Sequence, residues 1–229
     1  MTIVYDDLVA AVAPTGMVVR GGFHASAAKL HAGLPPMPLL DDGRPTRSVV
    51  IVGNAGGAMW GPFSDGRSDG PNPLDRWTRD TLRPIAAEFD ATFLHPSDEP
   101  YQPFQRWAQL ADDVWSSPIG LLVHSTFGLW HAYRGAFLTP VEVTDLPPVG
   151  RETSPCVTCV GQPCLTTCPV DAFGPSGYDG AACAGHVRSD ASPNCLDDGC
   201  AARGACPVGV TWRYESEQMR FHMRAFIGD

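Results

Sequence analysis

All eight cysteines of this 229-residue chain lie beyond residue 155. Four of them, Cys156, Cys159, Cys164 and Cys168, fall within "CVTCVGQPCLTTCPVDAF" in the pattern C-x2-C-x4-C-x3-C-P. The other four, Cys183, Cys195, Cys200 and Cys206, are more widely spaced and again end on Cys-Pro. Thiolates are soft ligands, and four of them satisfy either a tetrahedral zinc ion or a 4Fe–4S cubane. The bacterial ferredoxin run is C-x2-C-x2-C-x3-C-P, and its fourth cysteine ligates the other cluster. Here the middle gap is two residues longer. The reciprocal Cys-Pro endings suggest the same crossing. Cys156, Cys159, Cys164 and Cys206 are then the ligands of one 4Fe–4S cluster, and Cys168, Cys183, Cys195 and Cys200 those of a second. Two zinc sites of four cysteines would also use all eight. The proline endings and the small residues between ligands favour clusters wrapped by backbone amides. Disulfides are likewise disfavoured, because the cysteines are confined to one segment and a reducing cytoplasm opposes them.

Such a centre needs a scaffold, and the chain divides accordingly. Residues 1–150 carry no cysteine, and "TPVEVTDLPPVGRETSP" (139–155) has the prolines and small polar residues of a linker. The expected domains are 1–150 and 151–229. In the first, "RSVVIVGNAGGAMW" (47–60) reads as a β-branched strand running into a glycine loop. The loop lacks a dinucleotide or Walker pattern, so a tight turn after a strand is the simpler reading. "NPLDRWTRDTLRPIAAEFD" starts a helix with Asn72 as cap and Pro73 at its first position. Leu74, Trp77, Thr81 or Leu82, Ile85 and Phe89 fall near one face, and Pro84 is expected to kink it. "ATFLH" is a short strand. "PFQRWAQLADDVW" gives a second amphipathic helix through Phe104, Trp107, Leu110 and Val114. "IGLLVHSTFGLWHAYRGAFL" reads as two strands joined at "HSTFG". These elements make an α/β layer with a mixed sheet.

Composition narrows the function classes. A net charge of -9 does not suggest a nucleic-acid surface. No apolar run reaches membrane-span length, and the acidic amino terminus does not look like a signal peptide, so a cytoplasmic protein is expected. No G-x-S-x-G elbow gives hydrolase chemistry a foothold. Among the polar residues, His124 and His131 stand on the strands flanking the turn, as ligands, acids or satisfied structural groups. Arg134 lies in an otherwise apolar strand. A buried guanidinium needs an anion, either on a ligand or on an internal carboxylate.

The segment "SSPIGLLVHSTFGLWHAYRGAFLTPVEVTDLPP" (116–148) resembles the core of the cobalamin-processing proteins of the methylmalonic aciduria and homocystinuria type C family. Gly120, His124, Gly128, Trp130, Arg134, Gly135 and the "DLPP" run match that family in order. The cysteine-rich tail is similar to the ferredoxin portion of epoxyqueuosine reductase and the reductive dehalogenases, in which a related nitroreductase-like domain precedes two 4Fe–4S clusters. The resemblance implies an α+β protein, with a nitroreductase-like mixed-sheet α/β sandwich followed by a small bacterial-ferredoxin-like di-cluster domain. It further implies a base-off cobalamin, lined by His124, Phe127, Trp130, Arg134 and the glycine loop at Gly53, Gly56 and Gly57.

The departures bear on function. The type C proteins lack the cysteine tail. The catalytic carboxylate and RNA-binding repeats of the queuosine enzyme have no counterpart here. The expected activity is therefore a cobalamin reductase that removes the upper cobalt ligand, fed by an electron-donor reductase or ferredoxin, with no nucleic-acid or membrane partner. The rivals are a ferredoxin without corrinoid and an FMN-dependent reductase.

Overall fold

The computed structural model describes residues 2–28, 33–150, 153–189, 191 and 193–228. The strands, in chain order, are β1 (Ile3–Val4), β2 (Val18–His24), β3 (Ser48–Ala55), β4 (Thr92–Leu94), β5 (Val114–Ser116), β6 (Leu122–His124), β7 (His131–Thr139), β8 (Val143–Thr144), β9 (Phe173–Gly174) and β10 (Gly177–Tyr178). The helices are α1 (Tyr5–Val12), α2 (Ala25–Ala28), α3 (Trp60–Gly66), α4 (Pro73–Glu88), α5 (Phe104–Ala111), α6 (Pro163–Thr166), α7 (Gly180–Val187), α8 (Cys195–Asp198), α9 (Ala201–Gly204) and α10 (Ser216–Ile227). The chain is a mixed α/β protein that separates into two compact units, Met1–Asp113 with Ala132–Arg151, and Val114–His131 with Glu152–Asp229.

The first unit is built on a four-stranded sheet in the order β2-β3-β7-β4. Every residue of β3 is buried, consistent with its unbroken apolar run from Val49 to Val52. β2 pairs antiparallel with β3 through a bulge between Val19 and Gly22, and β4 pairs antiparallel with β7. Phe23, Val49, Ile51, Phe104, Trp107 and Leu138 form the core on one face. Each such side chain withdrawn from water contributes about 1.5–3 kcal/mol.

Three expectations about these elements are corrected. Helix α4 begins at Pro73, but Asn72 takes a left-handed conformation (φ 49°) and its side chain caps nothing. The buried stripe of α4 is Leu74, Thr78, Leu82 and Ala86, an i, i+4 row that leaves Trp77 and Ile85 half-buried. Helix α5 stops at Ala111, buries Phe104, Trp107, Ala108 and Ala111, and hands Val114 to a strand. The presumed linker also contributes structure. Val143 pairs in parallel with Ile3, and both are 1% exposed.

A buried polar knot ties α5 to the sheet. Arg20, 5% exposed, meets the Asp112 carboxylate at 2.6 Å. The Tyr133 hydroxyl donates to the same carboxylate at 2.9 Å. Burial holds the Tyr133 phenol far above its ordinary titration range, so it stays a donor.

The second unit contains a segment that the sequence placed in the first domain. Residues 114–131 pack with the cysteine-bearing half. The strand at Leu122–His124 pairs antiparallel with β5, not with β7, which joins the main sheet instead. The turn at "HSTFG" exists as a closed His124–Gly128 bridge, but it redirects the chain instead of forming a hairpin of β6 with β7. The apolar faces decide this. Ile119, Val123 and Leu129 bury themselves with Cys164 and Ala202, and Cys156, Cys168, Cys200 and Cys206 pack around that cluster.

Candidate functional site

The eight cysteines are free thiols held by short, capped elements. Asp179 caps α7, which carries Cys183, by accepting from the Ala182 amide at 2.9 Å. Asn194 caps α8, which starts at Cys195, by accepting from the Asp197 amide. Cys164 sits in the short helix α6, opened by Gln162 in a left-handed conformation and Pro163.

Electrostatic proximity sorts the thiols. Cys156 feels Cys206 and Cys159. Cys164 feels Cys156, Cys206 and Cys159, and Cys206 feels Cys159. Separately, Cys195 feels Cys183 and Cys168, and Cys200 feels Cys195 and Cys183. Burial pushes up the titration of Cys156, Cys164, Cys195, Cys200 and Cys206. Backbone amides oppose it. Ala201 donates to Cys195, Arg203 and Ala202 to Cys200, and Val208 to Cys206. The Ala172 amide lies 3.4 Å from the Cys168 sulfur. Buried sulfur facing several N–H donors suits a thiolate whose charge is matched by bound metal.

A small cavity of about 20 Å³ lies beside the first group, lined by Val123, Leu129, Pro155, Cys156, Cys164 and Cys206 among others. Among the described residues, no three His, Cys, Asp or Glu side chains converge closely enough to hold a single metal ion.

Of the residues expected to line a corrinoid, His124, Phe127 and Trp130 belong to the second unit, and Gly53, Gly56, Gly57 and Arg134 to the first. His124 is 9% exposed and stacks on Phe127 with centroids 4.4 Å apart. Its Nδ1 accepts from the Thr126 amide at 2.9 Å, so the neutral ring carries its proton on Nε2. His131 bonds the Leu122 carbonyl through Nε2 at 3.0 Å. Phe127 meets Trp212 edge-on at 4.7 Å. Trp130 is 2% exposed and packs edge-on against Tyr214, and the Arg203 guanidinium lies 4.6 Å from the centroids of both rings. Trp130 is thus part of the interior of its unit.

In the first unit, Gly53 is a strand residue and not part of a loop. A Cβ there would fall 2.2 Å from the Ala132 carbonyl oxygen, so glycine is required by strand approach. Gly56 is buried with φ 59° and turns the chain after β3, and Gly57 is half-buried. Arg134 donates from Nε to Asn54 Oδ1 at 3.0 Å, an amide where an internal carboxylate was one expectation.

Sequence reasoning passed over Asn54 and His95. Asn54 is fully buried at the end of β3, and a polar residue closing an apolar run was the available signal. His95, 5% exposed, follows β4. Its Nδ1 lies 2.8 Å from Ser97 Oγ and 3.1 Å from Arg79 Nη2, and its Nε2 is 3.6 Å from Asp75 Oδ1. Burial, helped by the positive charges of Arg79 and Arg134, pushes His95 down to about 4 against the pull of Asp75 and Asp98. Asn54, His95 and Arg134 collect a neutral imidazole, an amide and a fixed cation near one end of the sheet.

No protein-family profile and no curated protein matches the chain. Solved structures do. An epoxyqueuosine reductase with an epoxyqueuosine-modified tRNA-Tyr stem loop matches at TM-score 0.51 and 14% identity over 92% of this chain. A selenomethionine-labelled epoxyqueuosine reductase matches at 0.54 and 13% over 94%. The chain spans 66% and 68% of those two proteins. A C. elegans B12-trafficking protein, CblC, described as a human MMACHC homologue, matches at 0.54 and 16%, covering 96% of this chain and 92% of that one. The fold is thus shared with both kinds of protein. Among the described residues no helix is long and apolar enough to cross a membrane.

Proposed function

We propose that the chain is an iron–sulfur reductase acting on a bound corrinoid, with two 4Fe–4S clusters in its cysteine-bearing part and cobalamin as ligand or substrate. The observation that carries this reading is the sorting of eight buried or half-buried thiols into two sets of four, each closed by the Cys-Pro cysteine of the other sequence group. Tetrahedral zinc, with Zn–S of about 2.3 Å, would draw four sulfurs close around one point. The Cys-Pro endings and the backbone amides that face the sulfurs suit a larger centre wrapped by main chain. A cubane, which takes one thiolate at each of four corners, fits the donor set better.

The fold likeness to a B12-trafficking protein over nearly the whole of both chains supports cobalamin as the partner. Bound, the clusters supply single electrons and the corrinoid supplies the cobalt redox chemistry. The residues of the chain do the rest. Apolar side chains such as Val123 and Leu129 line the small cavity beside the first thiol set. Backbone amides hold the charge on the sulfurs. In the first unit Arg134, braced by Asn54, offers a fixed cation for a corrin amide or the nucleotide-loop phosphate. A net charge of -9 argues against RNA as the substrate, although one fold relative was solved with a tRNA stem loop. Cytoplasmic location and an external flavin or ferredoxin donor belong to the same reading.

Anaerobic reconstitution tests it. About eight iron and eight sulfide per chain are expected for two such clusters. Added aquocobalamin should shift to the base-off spectrum and lose Co(III) when the clusters are reduced. Stoichiometric zinc without iron would sink the reading. An unshifted cobalamin spectrum would leave a ferredoxin, and FMN bound in its place would favour a flavin reductase.

A further inference from the structure

Gln218 is the most buried residue of α10, at 0% exposure, in a helix whose other residues are exposed or half-buried. Among the described residues, neither its amide nitrogen nor its amide oxygen has a hydrogen-bond partner. A buried primary amide with nothing to bond loses the full desolvation free energy of the group. A Leu or Met would fill the same space without that loss, so an unsatisfied glutamine here implies a partner that is not protein.

The position says what that partner is. Helix α10 packs on α8 and α7, which carry Cys195 and Cys183. Just after Gln218 the helix is fastened to the loop and helix around Cys195 and Cys200. The Met219 side chain closes over Gly199, between Cys195 and Cys200, where an added Cβ would lie 2.8 Å from the Met219 sulfur. Arg220 Nε bonds Asp197 Oδ1 at 2.7 Å. One helical turn away on the same face, His222 packs against Tyr214, whose ring is covered by Arg203 from α9. The helix that buries Gln218 is therefore packed on the two helices that carry Cys183 and Cys195.

We infer that the Gln218 amide donates an N–H···S hydrogen bond to the cluster held by Cys168, Cys183, Cys195 and Cys200, and sets its reduction potential apart from that of the other. This inference rests on the two-cluster reading above. Hydrogen bonds to cluster sulfur are among the factors that set these potentials. The reduced cluster carries more negative charge, so the donor favours reduction. Gln218 acts as a positioning residue, through the cluster and not on the substrate.

The test is a potentiometric titration of reconstituted protein, followed by electron paramagnetic resonance of each cluster, on wild type and Q218M. Methionine keeps the length and removes the donor. The expected result is a second cluster harder to reduce, its reduced-to-oxidised ratio falling about tenfold at fixed poise, a shift of about 59 mV for one electron. The cluster of Cys156, Cys159, Cys164 and Cys206 should keep its potential. Unchanged potentials for both clusters in an iron-replete Q218M protein would overturn the inference and leave the two-cluster reading intact. If Q218M does not fold, the wild type decides. Protein labelled with 15N-glutamine should show a 15N hyperfine coupling on the reduced second cluster, and its absence would overturn the role. Protein that takes up no iron at all would overturn both readings.

Discussion

Gly128 and Gly209 are pressed backbone to backbone. A Cβ on Gly128, where φ is +58°, would lie 2.0 Å from the Val208 carbonyl oxygen and 3.2 Å from the Gly209 nitrogen. A Cβ on Gly209, at φ +70°, would lie 2.6 Å from the Gly128 nitrogen. The contact clamps the "HSTFG" turn against the loop that leaves Cys206. Arg203 reinforces it by donating from Nε and Nη2 to the Leu129 carbonyl at 3.0 and 2.6 Å.

G128A should therefore be among the most damaging small substitutions in the second unit. Left-handed strain and a backbone clash together cost about 2–5 kcal/mol. Urea unfolding followed by tryptophan fluorescence should show the loss. G128A and G209A should also be non-additive in the double variant, because both break one contact. Additive losses would mean that the two glycines act separately.

Crossed ligation predicts which signal a cysteine variant removes. C206S should erase the resonance of the cluster that includes Cys156, Cys159 and Cys164, and C168S that of the set with Cys183, Cys195 and Cys200. Loss of the sequence-adjacent cluster in either variant would refute the assignment.

His95 makes the stability of the first unit pH-dependent. Its imidazole stays neutral in the folded protein down to about pH 4, whereas the unfolded chain binds a proton near 6.5. Between those values the unfolded state holds more protons, so stability falls as pH drops from about 6.5 toward 4 and is fully present above that window. The expected loss is about 2 kcal/mol. H95Q cannot protonate. The difference between wild type and H95Q in denaturant midpoint should shrink across that window, and a constant difference would exclude His95 as the source.

Arg134 separates ligand binding from cluster chemistry. R134M should weaken corrinoid binding about tenfold or more, the range for a charged hydrogen bond, with the visible spectrum of the clusters unchanged. Spectral titration with aquocobalamin reads the first quantity. Unaltered affinity, with stability lowered by the lost Asn54 bond, would make Arg134 a structural residue.

What the sequence determined by itself was local. The β-branched run from Val49 to Val52 becomes part of a buried central strand because β-branched residues fit a pleated, buried surface well. Pro73 starts its helix, and the cysteine spacing with two Cys-Pro endings is a ligand pattern wherever the chain goes. Tertiary structure decided what depends on partners far away in sequence. The strand at Leu122–His124 pairs with β5, although the sequence equally allows a hairpin with the strand after it, and Val123 and Leu129 are buried in a cluster with Cys164 and Ala202. The same burial takes residues 114–131 out of the amino-terminal unit, and no composition change marks that. The glycine at 128 reads as an ordinary turn until the backbone at Val208 is brought against it. His95 looks like a strand-end histidine until Asp75, Arg79 and Asp98 surround it. In each case, side chains announce their preference for burial, helix or metal, but only the folded chain supplies the neighbour whose distance sets the chemistry.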